Sequence, residues 1–341
     1  MQNKESKIFN EKNKKGGIIK SEKNIEKNVD NDEEDDEEIN EENKEEEKNK
    51  ENNEEKSIEK NEENKEKKDE VKECTCTCMP VYKEEEKEKV LDFSDVDSRE
   101  NWMKIPGNFK HISVGPFGVY AIDLEDNIYY REGVTLENTF GIVWNKFDGK
   151  LKQISNGKYG VWGVNGDNVI WYRELVTSKN KAGNHWIQVD GLLKHISSGE
   201  FGVYGVDNNN KVYYRQGITK TNPIGTKWER INDILLKRVS IGKYGLWGVT
   251  PDNDVYYRSN ISLENPGGDE WIHIKPDKFR YISVGEYGVW ALNSNDEIFY
   301  RKGINDFNSI GESWVKIEGL LKQISIGYYG LYGINFCNEA F

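Results

Sequence analysis

The sequence predicts an all-β fold: a six-bladed β-propeller of four-stranded antiparallel blades, preceded by a disordered charged tail. Three observations predict it. Tryptophan recurs at Trp102, Trp144, Trp186, Trp228, Trp271 and Trp314, at intervals of 42, 42, 42, 43 and 43 residues. The glycine of Ile/Val-Ser-x-Gly recurs with the same period, at Gly115, Gly157, Gly199, Gly242, Gly285 and Gly327. Finally, all 10 Trp lie at or after Trp102, so only that part of the chain has the aromatic content to bury a core.

Each unit reads as four short strands. The first begins at the Trp, as in Trp186–Val189, and the second is Leu-Lys-x-Ile-Ser, as in Leu193–Ser197. The third is exemplified by Gly160–Val164 and the fourth by Val255–Arg258, a Val-Tyr-Tyr-Arg segment. Val, Ile, Tyr and Trp suit a pleated surface. Clusters such as Asp207–Asn210 supply the turns. No segment after Trp102 sustains i, i+3, i+4 apolar spacing, which excludes helical repeats. One such unit cannot cover both its faces; six in a ring can. The last unit stops two residues before its expected Arg, so the ring needs an extra segment to close. Val90–Phe93 is the candidate ahead of Trp102.

Residues 1–90 are assigned to the tail and 91–341 to the propeller. Residues 1–100 hold 21 basic and 35 acidic side chains, the remainder 27 and 26. The net charge of −13 therefore belongs to the tail, whose sparse apolar residues cannot offset chain entropy. A neutral C-terminal part argues against a nucleic-acid partner. No run of 18 apolar residues predicts a transmembrane helix, and no apolar stretch near the start reads as a secretory signal. The expected location is cytoplasmic, or the cell surface by a non-classical route. Cys74, Cys76 and Cys78 form a cluster in the tail and Cys337 stands alone, so no disulfide framework is expected. The cluster reads as inert thiols, a lipidation point for peripheral membrane association, or a metal site. Its spacing does not match zinc and no nearby His completes a ligand set, so no metal or other cofactor is assigned.

The leading Trp, Gly-Leu-Leu-Lys-x-Ile-Ser-x-Gly, Gly-Val-Trp-Gly-Val-Asn and Ile/Val-Tyr-Tyr-Arg resemble the tectonin repeat, the family of tachylectin-type and fish-egg lectins. The features are clearest in Trp186–Arg215 and Trp314–Asn335, and extend from Trp102 to Phe341 in all six units. The resemblance implies a six-bladed propeller that binds sugars, often bacterial lipopolysaccharide or other surface glycans. Other relatives act inside cells on membranes and in trafficking.

No catalytic constellation is visible, and the chain reads as a non-enzyme. His111 and His195 share one repeat position with Gln153, Arg238, Tyr281 and Gln323. Such tolerance predicts a blade surface position rather than a general base.

Sugar sites pair an aromatic ring with Asn, Asp or Arg. The third-strand aromatics Tyr120, Trp162, Tyr204, Trp247, Trp290 and Tyr332 are candidates. So are the fourth-strand arginines Arg131, Arg173, Arg215, Arg258 and Arg301, and the turn residues Asn165, Asp207 and Asn293. The opposing reading is that the rings fill the space between blades and the arginines are solvated or stacked on tyrosine. Two functions are open: a multivalent lectin for glycans or lipopolysaccharide, and an intracellular scaffold using the ring as a platform for protein or membrane. Near-equivalent sites in a ring favour the lectin.

Overall fold

The computed structural model describes residues 102–341. The tail, the Cys74, Cys76 and Cys78 cluster and the Val90–Phe93 segment lie outside the described residues. The described residues form six four-stranded antiparallel sheets and contain no helix, hence none long and apolar enough to cross a membrane.

The first strand, β1 (Ile105–Asn108), stands apart from the four that follow it. Blade 1 is built from β2 (His111–Gly115), β3 (Gly118–Ile122), β4 (Asn127–Arg131) and β5 (Trp144–Lys150), paired in that order. β2 is innermost and β5 outermost. Both β2 and β3 are buried along their whole length, because a neighbouring blade covers each face. They accordingly read as continuous apolar and small residues rather than as an alternation.

The blade is out of phase with the sequence unit by one strand. Each leading Trp strand pairs with the Tyr-Tyr-Arg strand before it, with Arg131 opposite Trp144, Arg173 opposite Trp186 and Arg215 opposite Trp228. The Trp strand is thus the outer strand of the preceding blade. The Arg-to-Trp interval is a long hairpin loop, and the step from the Trp strand to the next Ile-Ser strand is the crossover to the next blade.

This phase shift closes the ring. The last blade has inner strands Gln323–Gly327 and Gly330–Ile334 and a short third strand, Glu339–Ala340. Its outer strand is β1, which pairs antiparallel with Glu339–Ala340 through Ile105 opposite Ala340. The outer strand of the last blade is therefore supplied by the first Trp unit. Cys337 is disulfide-bonded.

The serine and the glycine of the Ile/Val-Ser-x-Gly landmark both act between inner strands. The serine Oγ of each blade accepts a backbone N–H from the next: Ser113 from Asn156 at 3.0 Å, Ser155 from Ser198 at 2.8 Å, Ser197 from Ile241 at 3.1 Å. Ser240, Ser283 and Ser325 bond Val284, Ile326 and Val114 in the same way, completing the circuit. Two residues on, a Cβ at Gly115, Gly199 or Gly327 would overlap the carbonyl oxygen of Asn156, Ile241 or Val114. The glycine is required because neighbouring backbones meet there.

Candidate functional site

The six third-strand aromatics are interior. Tyr120, Trp162, Tyr204, Trp247, Trp290 and Tyr332 are all buried, each at a blade–blade junction. Tyr120 and Tyr204 donate their hydroxyls at 2.8 Å to the carbonyls of Lys181 and Pro266 in the next blade's long loop, and Tyr332 donates to Thr139. Burial raises all three phenol pKa values, so the hydroxyls stay protonated donors. The six buried rings are core filling, and the three tyrosines also anchor loops.

The arginines are buried as well, so neither solvation nor stacking on tyrosine, the alternative to a ligand role, describes them. Each lies over a leading Trp instead, with guanidinium-to-ring distances of 5.3 Å for Arg131 on Trp144, 5.2 Å for Arg173 on Trp186 and 5.4 Å for Arg215 on Trp228. Arg258 on Trp271 and Arg301 on Trp314 repeat the pair. Each Nε donates to the carbonyl nine residues on, as in Arg131 to Phe140 at 2.8 Å and Arg301 to Ile310 at 2.9 Å, clipping the long loop. Asn165, Asp207 and Asn293 cap turns. Asn165 Oδ1, for instance, accepts the N–H groups of Asp167 and Val169. Asp207 and Asn293 do the same in their own turns.

What stays open at the outer rim was not among the expected site residues. Trp144, Trp186, Trp228, Trp271 and Trp314 are half-buried, and only Trp102 is buried. Trp186 and Trp228 donate Nε1 to the carbonyls of Asp148 and Asp190 on the neighbouring outer strand, at 2.9 and 2.8 Å. The next residue, Gly149 or Gly191, has φ of 102° or 90°, and a Cβ on either would crowd the indole. The carboxylates of Asp148 and Asp190 are 64% exposed and ion-pair with the buried Arg173 and Arg215. Hydrogen bonding from those guanidinium groups holds both carboxyls below their ordinary range. Asp233 stands near Arg258 more loosely, at 3.9 Å, beyond hydrogen-bond distance. Three successive junctions thus carry a half-exposed indole, an exposed carboxylate and an arginine. The sixfold Trp period was the available signal; its meaning depended on the phase shift.

His111 and His195 are not on a blade surface. Together with Gln153, Arg238, Tyr281 and Gln323 they line the central channel. Gln153 spans to the next blade, donating to Ile196 O at 2.8 Å and accepting from its N–H at 3.0 Å, and Gln323 does so with Ile112.

The sequence model of the Tectonin domain matches residues 85–240 and 232–320. No curated protein matches the chain. Among solved structures, yeast RCC1 (Prp20), determined bound to Kap60, is 12% identical, with 72% of this chain and 69% of that chain covered and a TM-score of 0.40. Human WBSCR16 is 11% identical over 68% of this chain and 75% of that one, with a TM-score of 0.43. The β-propeller domain of Myceliophteria thermophila Cps50 (Swd1) is 9% identical over 70% and 97%, with a TM-score of 0.45.

Proposed function

The chain belongs to the tectonin-domain family, and from that premise we propose that it is a multivalent carbohydrate-binding protein whose sites lie at the blade junctions of the outer rim. A tectonin propeller fits a lectin or an interaction platform. The observation that carries the lectin reading is the repeated set at three junctions: Asp148, Arg173 and Trp186; Asp190, Arg215 and Trp228; Asp233, Arg258 and Trp271. A half-exposed indole offers a face to sugar C–H groups, and an ionised carboxylate accepts hydroxyl hydrogens. Shallow sites of this kind bind at roughly millimolar strength, about −4 kcal/mol. Several on one ring, facing a repeating surface such as lipopolysaccharide, gain on the order of 10²–10⁴ in avidity.

The test compares binding to a glycan-coated surface with binding to the same glycan free in solution. Tight surface binding with weak free binding is expected, falling further at each step from D148N to D148N/D190N. Equal affinities would remove the multivalent mechanism. The platform reading draws on exposed apolar side chains on the long loops: Leu136, Leu263 and the fully exposed Phe307. Recovery of a defined protein partner, lost on F307S and accompanied by no glycan binding, would favour it.

A further inference from the structure

One mouth of the central channel is ringed by cations. The residue before each inner strand is Lys110, Lys152, Lys194, Lys237, Arg280 or Lys322, and all six line a cavity of about 740 Å³. Arg238 joins them, so the wall carries seven basic and no acidic side chains among the described residues. Below this mouth the channel narrows to about 60 Å³ at the serine circuit.

The six cations are incompletely neutralised. Each bonds the turn residue of its own blade that sits at positive φ. Two of those partners, Asp126 and Asp296, are carboxylates, and pair with Lys110 and Arg280. The other four are neutral: Asn168 takes Lys152, Asn210 takes Lys194, Asn253 takes Lys237 and Asn338 takes Lys322. An ammonium has three donors and each amide oxygen occupies one. Asp167, Asp207 and Asp252 lie in the turns, outside the cavity wall, and only partly offset the field on Lys152, Lys194 and Lys237. Burial lowers the pKa of these lysines and of Lys322, with Lys194 adding to the effect on Lys152 and Arg238 and Arg280 to that on Lys237.

Two buried polar groups on the same wall lack protein partners. Arg238 Nη1 lies 2.9 Å from His195 Nε2. Since arginine can only donate, Nε2 accepts and the neutral ring carries its proton on Nδ1. That Nδ1 and the Nδ1 of His111 have no hydrogen-bond partner among the described residues.

We propose that this channel mouth is a single axial site for a small anion carrying several phosphate or sulfate groups, held by Lys152, Lys194, Lys237, Lys322 and Arg238. The cavity is of ligand size. A polyanion supplies acceptors to the spare ammonium hydrogens and relieves repulsion around the ring. The site is separate from the rim junctions, so it stands or falls independently of the glycan reading.

Calorimetric titration of the full chain with inositol hexakisphosphate tests it. One equivalent per chain is expected, with orthophosphate binding far more weakly and affinity falling as salt is added. K194Q and K237Q should each weaken binding about tenfold, the loss of one charged hydrogen bond in a partly desolvated site. K146Q, on an exposed outer strand, should leave it unchanged. Phosphatidylcholine vesicles with and without phosphatidylinositol 4,5-bisphosphate form a second arm. Recruitment that needs the phosphoinositide and is lost in K194Q assigns a lipid headgroup as source, and soluble binding alone assigns a free anion. No binding in either arm, or full affinity in K194Q and K237Q variants that melt like the parent chain, would overturn the proposal.

Discussion

At the residue scale, three side chains, in two cases, are held against their ordinary preferences. Burial, with Arg238 and Lys110 nearby, lowers the pKa of His111 to about 3. Burial, with Arg238, His111, Lys194 and Lys152, also holds His195 well below its usual value. Both rings stay neutral in the fold, while the unfolded chain takes up protons below about pH 6.5. The unfolded state thus binds more protons in this window. Stability is complete above about pH 6.5 and is lost as pH falls toward the folded values, by up to about 1.4 kcal/mol per pH unit for each ring. Urea denaturation between pH 7 and pH 4 should show H111Q and H195Q with shallower losses than the parent chain. Gln is the test residue because Gln153 and Gln323 occupy the same position in other blades. Leu175 is the second case. It has φ of 55° and is 62% exposed, where the equivalent positions hold Gly133, Gly217, Asn260 and Gly303. Left-handed backbone costs a leucine about 1–2 kcal/mol, partly offset by the entropy a glycine loses on folding. L175G should raise stability by about 0.5–1 kcal/mol, read as a higher denaturation midpoint at unchanged slope.

At the element scale, the inner strands bear the contacts that define the ring. Truncating Ser197 leaves the buried N–H of Ile241 without its acceptor, and S197A should cost about 1–3 kcal/mol. G199A should cost more, about 3 kcal/mol or above, because the added Cβ meets backbone of the next blade and no side chain can move aside. Gly166, in a turn with nothing near its Cβ position, is the control, and G166A should stay within about 0.5 kcal/mol. Thermal unfolding of the three variants checks the order. The outer strands follow another rule. In pairs such as Asp148 with Arg173 the carboxylate is exposed and the guanidinium buried, so D148N, which keeps an acceptor for that guanidinium, should alter binding with at most about 1 kcal/mol lost in stability.

At the scale of the molecule, the ring holds itself closed with a strand from its own beginning. A chain starting at residue 102 keeps β1 and its pairing with Glu339–Ala340, whereas one starting at residue 110 lacks β1. The second exposes the edge of the last blade, together with the space that Ile105 and Phe109 fill in its cluster with Tyr332 and Ile334. It should melt at a markedly lower temperature and associate through the open edge, measured by calorimetry and light scattering. Equal melting temperatures would show that β1 is dispensable.

The amino-acid sequence by itself determined the strand class, the number of blades and the four-strand count. Those follow from local chemistry repeated six times: a period, a β-favouring composition and turn residues between short runs. It also determined that the Ile-Ser-x-Gly segment matters, though not that its serine bridges blades or that its glycine lets two backbones meet. Tertiary structure alone decided where a blade begins, since pairing Arg131 with Trp144 rather than starting a sheet at Trp144 depends on contacts across a long loop. That decision reassigned the site. Tyr120, Trp162 and their equivalents face neighbouring blades and became core, while the Trp landmarks came to the rim. It also placed His111, Arg238 and Tyr281 around one axis. In the sequence their variety predicts a blade surface position, but they share a channel wide enough to accept different side chains, a property set by the radius of the ring and carried by no single repeat.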